Sequence, residues 1–391
     1  MARFRTGYGA VCLAALVCLA GAACSAPGSS SSSAAAAGGS SSSTPSGPIK
    51  IAVVDAQSGS ASDLGQFEYR GVKLAVDQAN AAGGVDGRTI TLSLLDDQGD
   101  PTVGTELARK IASQGAVAML GTAESAVTLA MAPILAGEHI PNITSGQSTK
   151  LLALNSPYLF LNGPTGLTYD STLAKYLVQA KGYKKIAMLT NNDSYGAGEH
   201  DAFASALKAL GVTPVADKVV PQDQTNMTPA LTAIRGSNPQ VLFIGAEEAQ
   251  SGLTVKQARA LGMTAVIAEG APAGTPLYLS TAGTANAEGT IVSSPYLGND
   301  VSDASKKFAA AYTAAYGSAP ELHGAKAYDG AQIMIAALKA CHACTGLALA
   351  DAIRAVHYDG LLGSFSYDKQ GVGIFATSIG IIRNGKIEPV G

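Results

Sequence analysis

Residues 49–84 read IKIAVVDAQSGSASDLGQFEYRGVKLAVDQANAAGG, and this stretch decides the fold class. Its first seven residues are almost all apolar and end in an acid, which is typical of a strand that is buried on both faces. Residues 65–82 then place apolar side chains at helical spacing, and Gly83 and Gly84 favour the end of a helix. The stretch therefore predicts a buried strand followed by a helix that packs on a sheet.

The same strand–helix alternation continues along the chain to residue 293, with one break near residues 162–165. Apolar strands that alternate with helices favour parallel sheets covered on both faces. Three helices and a hairpin-like tail follow residue 293, and these late helices have to pack on an earlier sheet. We therefore predict an α/β protein with two doubly wound, Rossmann-like lobes, each built from discontinuous segments.

The composition excludes two broad classes of protein. The chain has 391 residues, of which 47% are hydrophobic and 14% are charged, so it can bury large cores and global disorder is excluded. Its 26 Lys and Arg residues against 29 Asp and Glu residues give a net charge of -3, and Trp is absent. A nucleic-acid binder that works by charge and stacking is therefore not expected. No cofactor is expected either.

The N-terminal residues are typical of a secretion signal followed by a flexible tether. Residues 1–23 have the basic start and short apolar run of a secretory signal peptide, and small residues precede Cys24 as in a bacterial lipobox. The position three residues before the cysteine is Gly21, where a lipobox usually has Leu, so ordinary secretion is the alternative. Residues 24–48 carry no charge and are rich in Ser, Ala and Gly. We expect a lipid on Cys24 and a flexible tether at the outer face of the bacterial cytoplasmic membrane.

Only two cysteines, Cys341 and Cys344, lie in the predicted folded body. They follow a helical stretch, whereas a redox Cys-x-x-Cys motif is expected at the start of a helix after a strand. We favour a disulfide that closes a loop between two helices. A zinc site with His342 is the weaker alternative because it lacks a fourth ligand.

Short motifs spread over residues 49–390 resemble, in order, the type I periplasmic solute-binding proteins of the branched-chain amino-acid receptor group. The matching stretches are residues 58–59 (SG), Gly65, and residues 71–76 (GVKLAV), 80–88 (NAAGGVDGR), 96–101 (DDQGDP), 140–141 (IP), 193–198 (DSYGAG), 256–262 (KQARALG), 328–330 (YDG) and 363–371 (GSFSYDKQG). Each motif alone is weak, but the ordered set is specific.

The resemblance implies a receptor with two lobes, a three-strand hinge and a cleft that binds a small solute, with an ABC-type permease as the partner. It places the hinge crossings near residues 162–165, 293–296 and 362–365. We therefore assign residues 49–163 and 294–363 to lobe I, and residues 164–293 and 364–391 to lobe II. A monomer is expected, and an amino acid of the branched-chain type is the default solute.

Polar loops in the first half follow strands of the predicted sheet, at the edge where open parallel sheets bind ligands. Hydroxyls and backbone N–H groups at helix N-termini favour an anion such as an α-carboxylate. The candidate residues are Ser125, Ser145, Gly146 and Ser148. The resemblance implies that Ser125, Gly146 and Ser148 contact an amino-acid head group and that Leu64 contacts its side chain. The alternative for Ser125 and Ser148 is N-capping of their own helices.

Three residues of the second half are further candidates. The resemblance implies that Tyr195 closes over the solute and that Glu269 pairs with its α-ammonium, although the spacing of Glu269 departs by about two residues. Glu247 stands where amino-acid receptors often carry an aromatic residue. If Glu247 faces the cleft, the solute offers a cationic or hydrogen-bonding group; if it faces solvent, it is an ordinary acid at a helix N-terminus.

The sequence contains no Gly-x-Ser-x-Gly elbow, no His-Glu-x-x-His and no P-loop, and its five histidines are dispersed. We therefore expect no catalytic residues and no metal. The alternative to a transport receptor is a ligand-sensing receptor domain for an amide or another small molecule, which would act without transport.

Overall fold

The computed structural model describes residues 47–298 and 301–390. The signal peptide, Cys24 and residues 24–46 of the tether lie outside the described residues, so their assignments stay predictions. Among the residues that are described, no helix is long and apolar enough to cross a membrane.

The first lobe opens with a five-stranded parallel sheet in the order β2-β1-β3-β4-β5. Its elements are β1 (Ile49–Val54), α1 (Ser62–Ala81), β2 (Ile90–Leu95), α2 (Pro101–Ser113), β3 (Ala118–Gly121), α3 (Ser125–Gly137), β4 (Asn142–Thr144), a 3-10 helix (Thr149–Leu154) and β5 (Leu159–Leu161). All four residues of β3 are buried. This burial on both faces explains the continuous apolar runs in the sequence.

The second lobe is built on a seven-stranded sheet in the order β15-β14-β10-β9-β8-β6-β7. Its elements before the return of the chain are α4 (Gly166–Lys175) with a π-helical turn (Tyr176–Ala180), β6 (Ile186–Asn191), α5 (Ser194–Ala209), β7 (Ala216–Val220), α6 (Thr228–Gly236), β8 (Val241–Gly245), α7 (Glu248–Ala260), β9 (Val266–Glu269), α8 (Pro276–Ala282), α9 (Thr284–Ala287) and β10 (Ile291–Ser294). Separate apolar clusters cover the two faces of this sheet.

The chain then returns to the first lobe before it ends on the second. The last elements are α10 (Asp303–Tyr316), α11 (Leu322–Ala340), α12 (Gly346–Arg354), β11 (Tyr358–Gly360), β12 (Gly363–Tyr367), β13 (Gly373–Ile374), β14 (Ser378–Arg383) and β15 (Lys386–Pro389). Helices α11 and α12 pack in the same core as β1 and α1. The predicted α/β class with two lobes of parallel sheet is therefore confirmed.

The boundary at the third crossing is a correction. Residues 364–374, which the sequence analysis assigns to lobe II, lie in the first lobe, because Phe365, Tyr367 and Phe375 pack in its core. The ring of Tyr367 contacts Phe160 of β5 edge-on, with 5.2 Å between the ring centroids. The crossing therefore falls after Phe375, and only β14 and β15 join the second sheet.

Helices α1 and α11 approach each other closely at a pair of glycines. A Cβ atom on Gly71 would lie 2.2 Å from the backbone oxygen of Gly324, so only glycine fits there. At the other end of α11, Cys341 and Cys344 form a disulfide in the loop that leads to α12. With both sulfurs joined, the zinc alternative at this pair falls away.

Candidate functional site

Ser125, the first residue of α3, holds the loop that follows β4. Its Oγ accepts hydrogen bonds from the backbone N–H groups of Gln147 and Ser148, at 3.2 Å each. The backbone N–H of Gly146 donates to Thr144 Oγ1 at 3.0 Å. The Ser125 side chain is buried and does not cap α3, because the capping position is Glu124. Ser125 therefore shapes the loop and keeps its own hydroxyl proton for a further acceptor.

Ser148 lies where the two lobes touch. Its Oγ donates to the backbone oxygen of Ser194 on α5, at 2.5 Å, and also accepts from the backbone N–H of Lys150, so it caps the 3-10 helix. Nearby, Lys150 Nζ lies 3.7 Å from a carboxylate oxygen of Asp201. These contacts hold the two lobes together along one side of the cleft.

Two cations of α11 face the first-lobe loops. Lys326 Nζ donates to the backbone oxygen of Ser145 at 2.9 Å, and Ser145 Oγ accepts from Asn162 Nδ2 at 3.1 Å. Burial lowers the pKa of Lys326 to about 8, although the charges of Glu68 and Glu321 oppose the shift. The Lys326 side chain is therefore still mostly an ammonium at neutral pH, and a nearby anion would favour that form further.

His323 joins the lobes electrostatically. Its Nδ1 lies 2.8 Å from Glu321 Oε2, and its Nε2 lies 3.5 Å from Glu248 Oε1 on α7 of the second lobe. Burial alone would lower the pKa of His323, but Glu321, Glu248 and Glu68 outweigh it and raise the pKa to about 9. His323 is therefore an imidazolium at neutral pH. The sequence analysis missed both His323 and Lys326, because neither belongs to a motif that singles it out.

The second lobe faces the cleft with Tyr195 and a group of acids. Tyr195 is buried in the first turn of α5, and Glu247 precedes α7 and is half-buried. Burial raises the pKa of Glu247 well above its usual range, and the negative charges of Glu124, Asp193 and Glu248 add to the shift. Glu247 is half-buried and lines the cavities between the lobes.

Glu124, just before α3, is an acid of the first lobe that lines the same cavity as Glu247 and Glu248. Burial raises the pKa of Glu124 to about 8, and the charges of Glu248 and Asp193 contribute. Like charges thus approach each other from the two lobes, and at neutral pH part of this group holds protons. A cation between the lobes would remove the repulsion.

Two adjacent cavities define the cleft. The smaller, about 20 Å3, is lined by five of the predicted residues together with groups that the sequence analysis did not single out: Leu64, Ser125, Ser145, Tyr195, Glu247, Gln147, Glu248, His323 and Lys326. The larger, about 610 Å3, shares Leu64, Tyr195, Glu247 and Glu248 with it and adds Glu124 and Asp193. The structure therefore brings together residues from both lobes.

The other predicted residues lie elsewhere. Gly146 and Ser148 do not line the two cavities, and Ser148 is engaged between the lobes. Glu269 is the last residue of β9, is buried, and accepts a hydrogen bond from Tyr278 Oη at 3.0 Å. Its carboxylate therefore lies behind the cleft, on the side of α8. Glu247 and Glu248, which line the small cavity, are better placed to meet a solute.

A third cavity of about 360 Å3 lies next to the cleft but contains none of the predicted residues. Among the described residues, no group of three or more His, Cys, Asp or Glu side chains could hold a metal ion.

Two α/β lobes with a polar cleft between them define a solute-binding receptor. The chain belongs to the family described as periplasmic binding protein, whose model matches residues 48–385. The predicted family is therefore confirmed.

The relatives agree with this class. The Leu/Ile/Val-binding protein homolog 3 of Brucella melitensis is 27% identical over 245 residues, which is 62% of this chain and 66% of that protein. The amino acid binding protein of Pseudomonas aeruginosa is 27% identical over 226 residues, 56% of this chain and 59% of that protein. The matched region thus spans about three fifths to two thirds of the length of these relatives.

A solved structure matches over a larger part of the chain. It is the branched-chain amino acid transporter substrate binding protein of Streptococcus pneumoniae in complex with isoleucine. It is 26% identical, has a TM-score of 0.81, and the match covers 87% of this chain and 98% of that one. The two-lobed fold described above is therefore shared with a substrate binding protein that was solved with isoleucine bound.

Proposed function

We propose that this protein is an extracytoplasmic receptor that captures an amino acid between its lobes and delivers it to an ABC-type permease. The observation that carries the proposal is the opposite charge at the two sides of one cleft. Ser125, Lys326 and His323 of the first lobe lie on one side, and Glu247 and Glu248 of the second lobe lie on the other. An α-amino acid has a carboxylate for the first set and an ammonium for the second.

The first set suits a carboxylate for three physical reasons. The Ser125 hydroxyl has a proton to donate, because its oxygen already accepts two backbone N–H groups. His323 is positively charged, and an anion beside Lys326 would favour the ammonium form of that side chain. Hydrogen bonds between ionised groups are the strong ones, so this corner gives both affinity and orientation.

Opening and closing of the cleft follow from the same charges. The small cavity, at about 20 Å3, has room for about one water and not for an amino-acid head group. A solute therefore enters after the lobes separate, which breaks the contacts of Ser148 with Ser194 and of Lys150 with Asp201. Its ammonium then relieves the repulsion between acids of the two lobes and favours the closed state.

The location and the partner belong to the same proposal. A lipid on Cys24 and the tether of residues 24–48 would keep the receptor beside its permease. We propose that it acts as a monomer, with Ser125, Ser145, Leu64, Tyr195 and Glu247 as solute contacts. The geometry supports Glu247 better than Glu269 as a partner of the solute ammonium.

A thermal-shift screen tests this function. The full chain is unfolded and refolded to strip any solute, and the panel contains the amino acids together with amides, polyamines, sugars and aromatic acids. A solute at 100 times its dissociation constant stabilises the folded state by about 2.7 kcal/mol. We expect a shift with at least one α-amino acid and a smaller one with its decarboxylated analogue. A shift with sugars or aromatic acids alone would contradict the proposal.

Uptake separates transport from sensing. Cells that lack the gene should lose uptake of the solute found in the screen, and the intact gene should restore it. Binding without any loss of uptake would favour the ligand-sensing alternative.

A further inference from the structure

The acids of the cleft outnumber the cations that could neutralise them. The cavity shared between the lobes is lined by Glu124, Asp193, Asp223, Glu247 and Glu248, and it is lined by no Lys, Arg or His. The only cations on the adjoining small cavity are His323 and Lys326. Both lie on α11, on the side where the solute carboxylate is proposed to bind. Negative charge therefore extends beyond the head-group region.

Two of these acids have internal partners. Glu248 lies 3.5 Å from His323. Asp193 caps α5 by accepting from the backbone N–H of Gly196 at 2.7 Å, and it also accepts from Asn191 Nδ2 at 2.7 Å. Groups of the protein itself therefore already stabilise the negative charges of Glu248 and Asp193.

Glu124 and Glu247 differ from these two acids because they lack a cationic partner among the described residues. Within residues 47–298 and 301–390, no Lys, Arg or His nitrogen lies within 4.0 Å of either carboxylate. Both side chains are half-buried, and desolvation together with the neighbouring acids disfavours their charged forms, so a cation placed beside them would be favourable. The α-ammonium of an amino acid can serve one of the two, and the other then still lacks a cation.

A separate observation also points to a donor on the solute. Gln147 is 8% exposed, lines the small cavity next to Glu247, and its Oε1 has no hydrogen-bond partner. Its backbone N–H is already bonded to Ser125 Oγ. A buried amide oxygen accepts hydrogen bonds and cannot donate them. The group that completes this site therefore carries N–H or O–H donors.

The larger cavity can hold more than a head group. At about 610 Å3, it falls within the usual size range of small-molecule sites. Apolar side chains of Leu64, Leu253 and Leu277 line it together with the acids. Apolar walls beside carboxylates suit a side chain that has a methylene stem and a charged tip.

We infer that the solute carries a second positive charge at the end of such a stem, as in a basic α-amino acid such as lysine, ornithine or arginine. Glu124 of the first lobe and Glu247 of the second bind its two cationic groups between them. This inference rests on the proposed function and adds the charge of the solute to it. Because the two acids come from different lobes, the solute also links the lobes when they close.

Calorimetric titration of the stripped full chain tests the inference with matched pairs of ligands. Lysine is compared with norleucine, which keeps the stem and lacks the terminal ammonium, and arginine is compared with citrulline. We expect at least one basic member to bind at least about a hundredfold more tightly than its neutral counterpart, equivalent to about 2.7 kcal/mol. Cadaverine, which has both amines of lysine and no carboxylate, completes the set.

Variants assign the effect to the two acids. Glu247→Gln and Glu124→Gln should each weaken binding of the basic ligand at least about tenfold. The variant that removes the acid paired with the α-ammonium should also weaken norleucine, and the other variant should change norleucine binding little. Glu106→Gln, at an exposed position on α2, should leave both ligands unchanged. Both cleft variants remove a charge from a repulsive group, so they should unfold at the same temperature as the unaltered chain or higher, which excludes misfolding as the cause.

The outcomes separate this inference from the proposed function. Tighter binding of norleucine, citrulline or leucine than of every basic ligand would overturn the inference and leave the amino-acid receptor intact. Binding of cadaverine without any α-amino acid would support the cation site and contradict the amino-acid function. No binding of any cationic ligand would overturn the inference, whatever else binds.

Discussion

Replacing Glu269 by glutamine tests how the second lobe uses one of its deeply buried acids. Glu269 is 1% exposed, accepts from Tyr278 Oη, and has no hydrogen-bond partner for its second oxygen, Oε2. Burial raises the pKa of Glu269 to about 8, against an ordinary value of 4.5, and the hydrogen bond from Tyr278 opposes the shift only in part. The folded chain therefore holds the proton on Glu269 more tightly than the unfolded chain does.

The magnitude follows from linkage between protonation and folding. A carboxyl whose pKa is raised on folding contributes stability that is fully present below its unfolded pKa, near 4.5, and that is lost as the pH rises through its folded pKa, near 8. Between pH 5 and pH 8 the loss is about 3 kcal/mol. Glutamine does not titrate, so the free energy of unfolding of the Glu269→Gln variant does not contain this pH-dependent decrease. Any constant cost of the new amide cancels in the comparison between pH values.

The assay is urea unfolding of the solute-free chain and of Glu269→Gln at several pH values from 5 to 8. We expect the free energy of unfolding of the variant, relative to that of the unaltered chain, to rise by about 3 kcal/mol from pH 5 to pH 8. Glu106→Gln, at an exposed site, serves as the control. A difference that stays constant with pH would refute the reasoning. Solute affinity measured on Glu269→Gln adds a second test, because a side chain behind the cleft should change it less than tenfold.

Three further predictions test the packing. Leu338→Ala removes a fully buried side chain from the core of the first lobe and should lower the free energy of unfolding by about 2–5 kcal/mol in urea titrations; a loss below 1 kcal/mol would contradict its place in that core. Gly71→Ala puts a Cβ 2.2 Å from the Gly324 oxygen and should cost at least about 1–3 kcal/mol, whereas Gly236→Ala meets nothing within 4 Å and should be neutral or stabilising. Replacing Cys341 and Cys344 together by serine should cost about 2 kcal/mol or less, because the loop that the disulfide closes is short; complete unfolding at room temperature would show a larger role.

The fold could be predicted because its signals are local. Strands such as β8, with all five residues buried, appear in the sequence as unbroken apolar runs, and helices appear with their own period and end signals. The lobe to which the hairpin around residues 365–367 belongs could not be predicted in the same way. A hairpin with alternating aromatic residues at 365 and 367 suits either sheet, and only contact with Phe160 shows which lobe it joins.

Part of the cleft could also be predicted, because loops after parallel strands meet at one edge of a sheet. The direction of individual side chains could not. In a strand buried on both faces, no polar alternation marks the two faces, so the turn of Glu269 towards Tyr278 leaves no pattern in the sequence. His323 and Lys326 reach the cleft only because α11 returns to the first lobe from far along the chain.

The most direct measurement is a calorimetric titration of the solute found by the screen into the variant that combines Ser125→Ala with Tyr195→Ala. These two residues line the cleft from opposite lobes. If the solute binds between the lobes, loss of one hydrogen bond and of one aromatic contact should weaken binding at least about a hundredfold. The variant should keep its cooperative unfolding, and Ser113→Ala combined with Tyr69→Ala, outside the cleft, should bind as the unaltered chain does. Unchanged affinity in the cleft variant would contradict the assignment of the site.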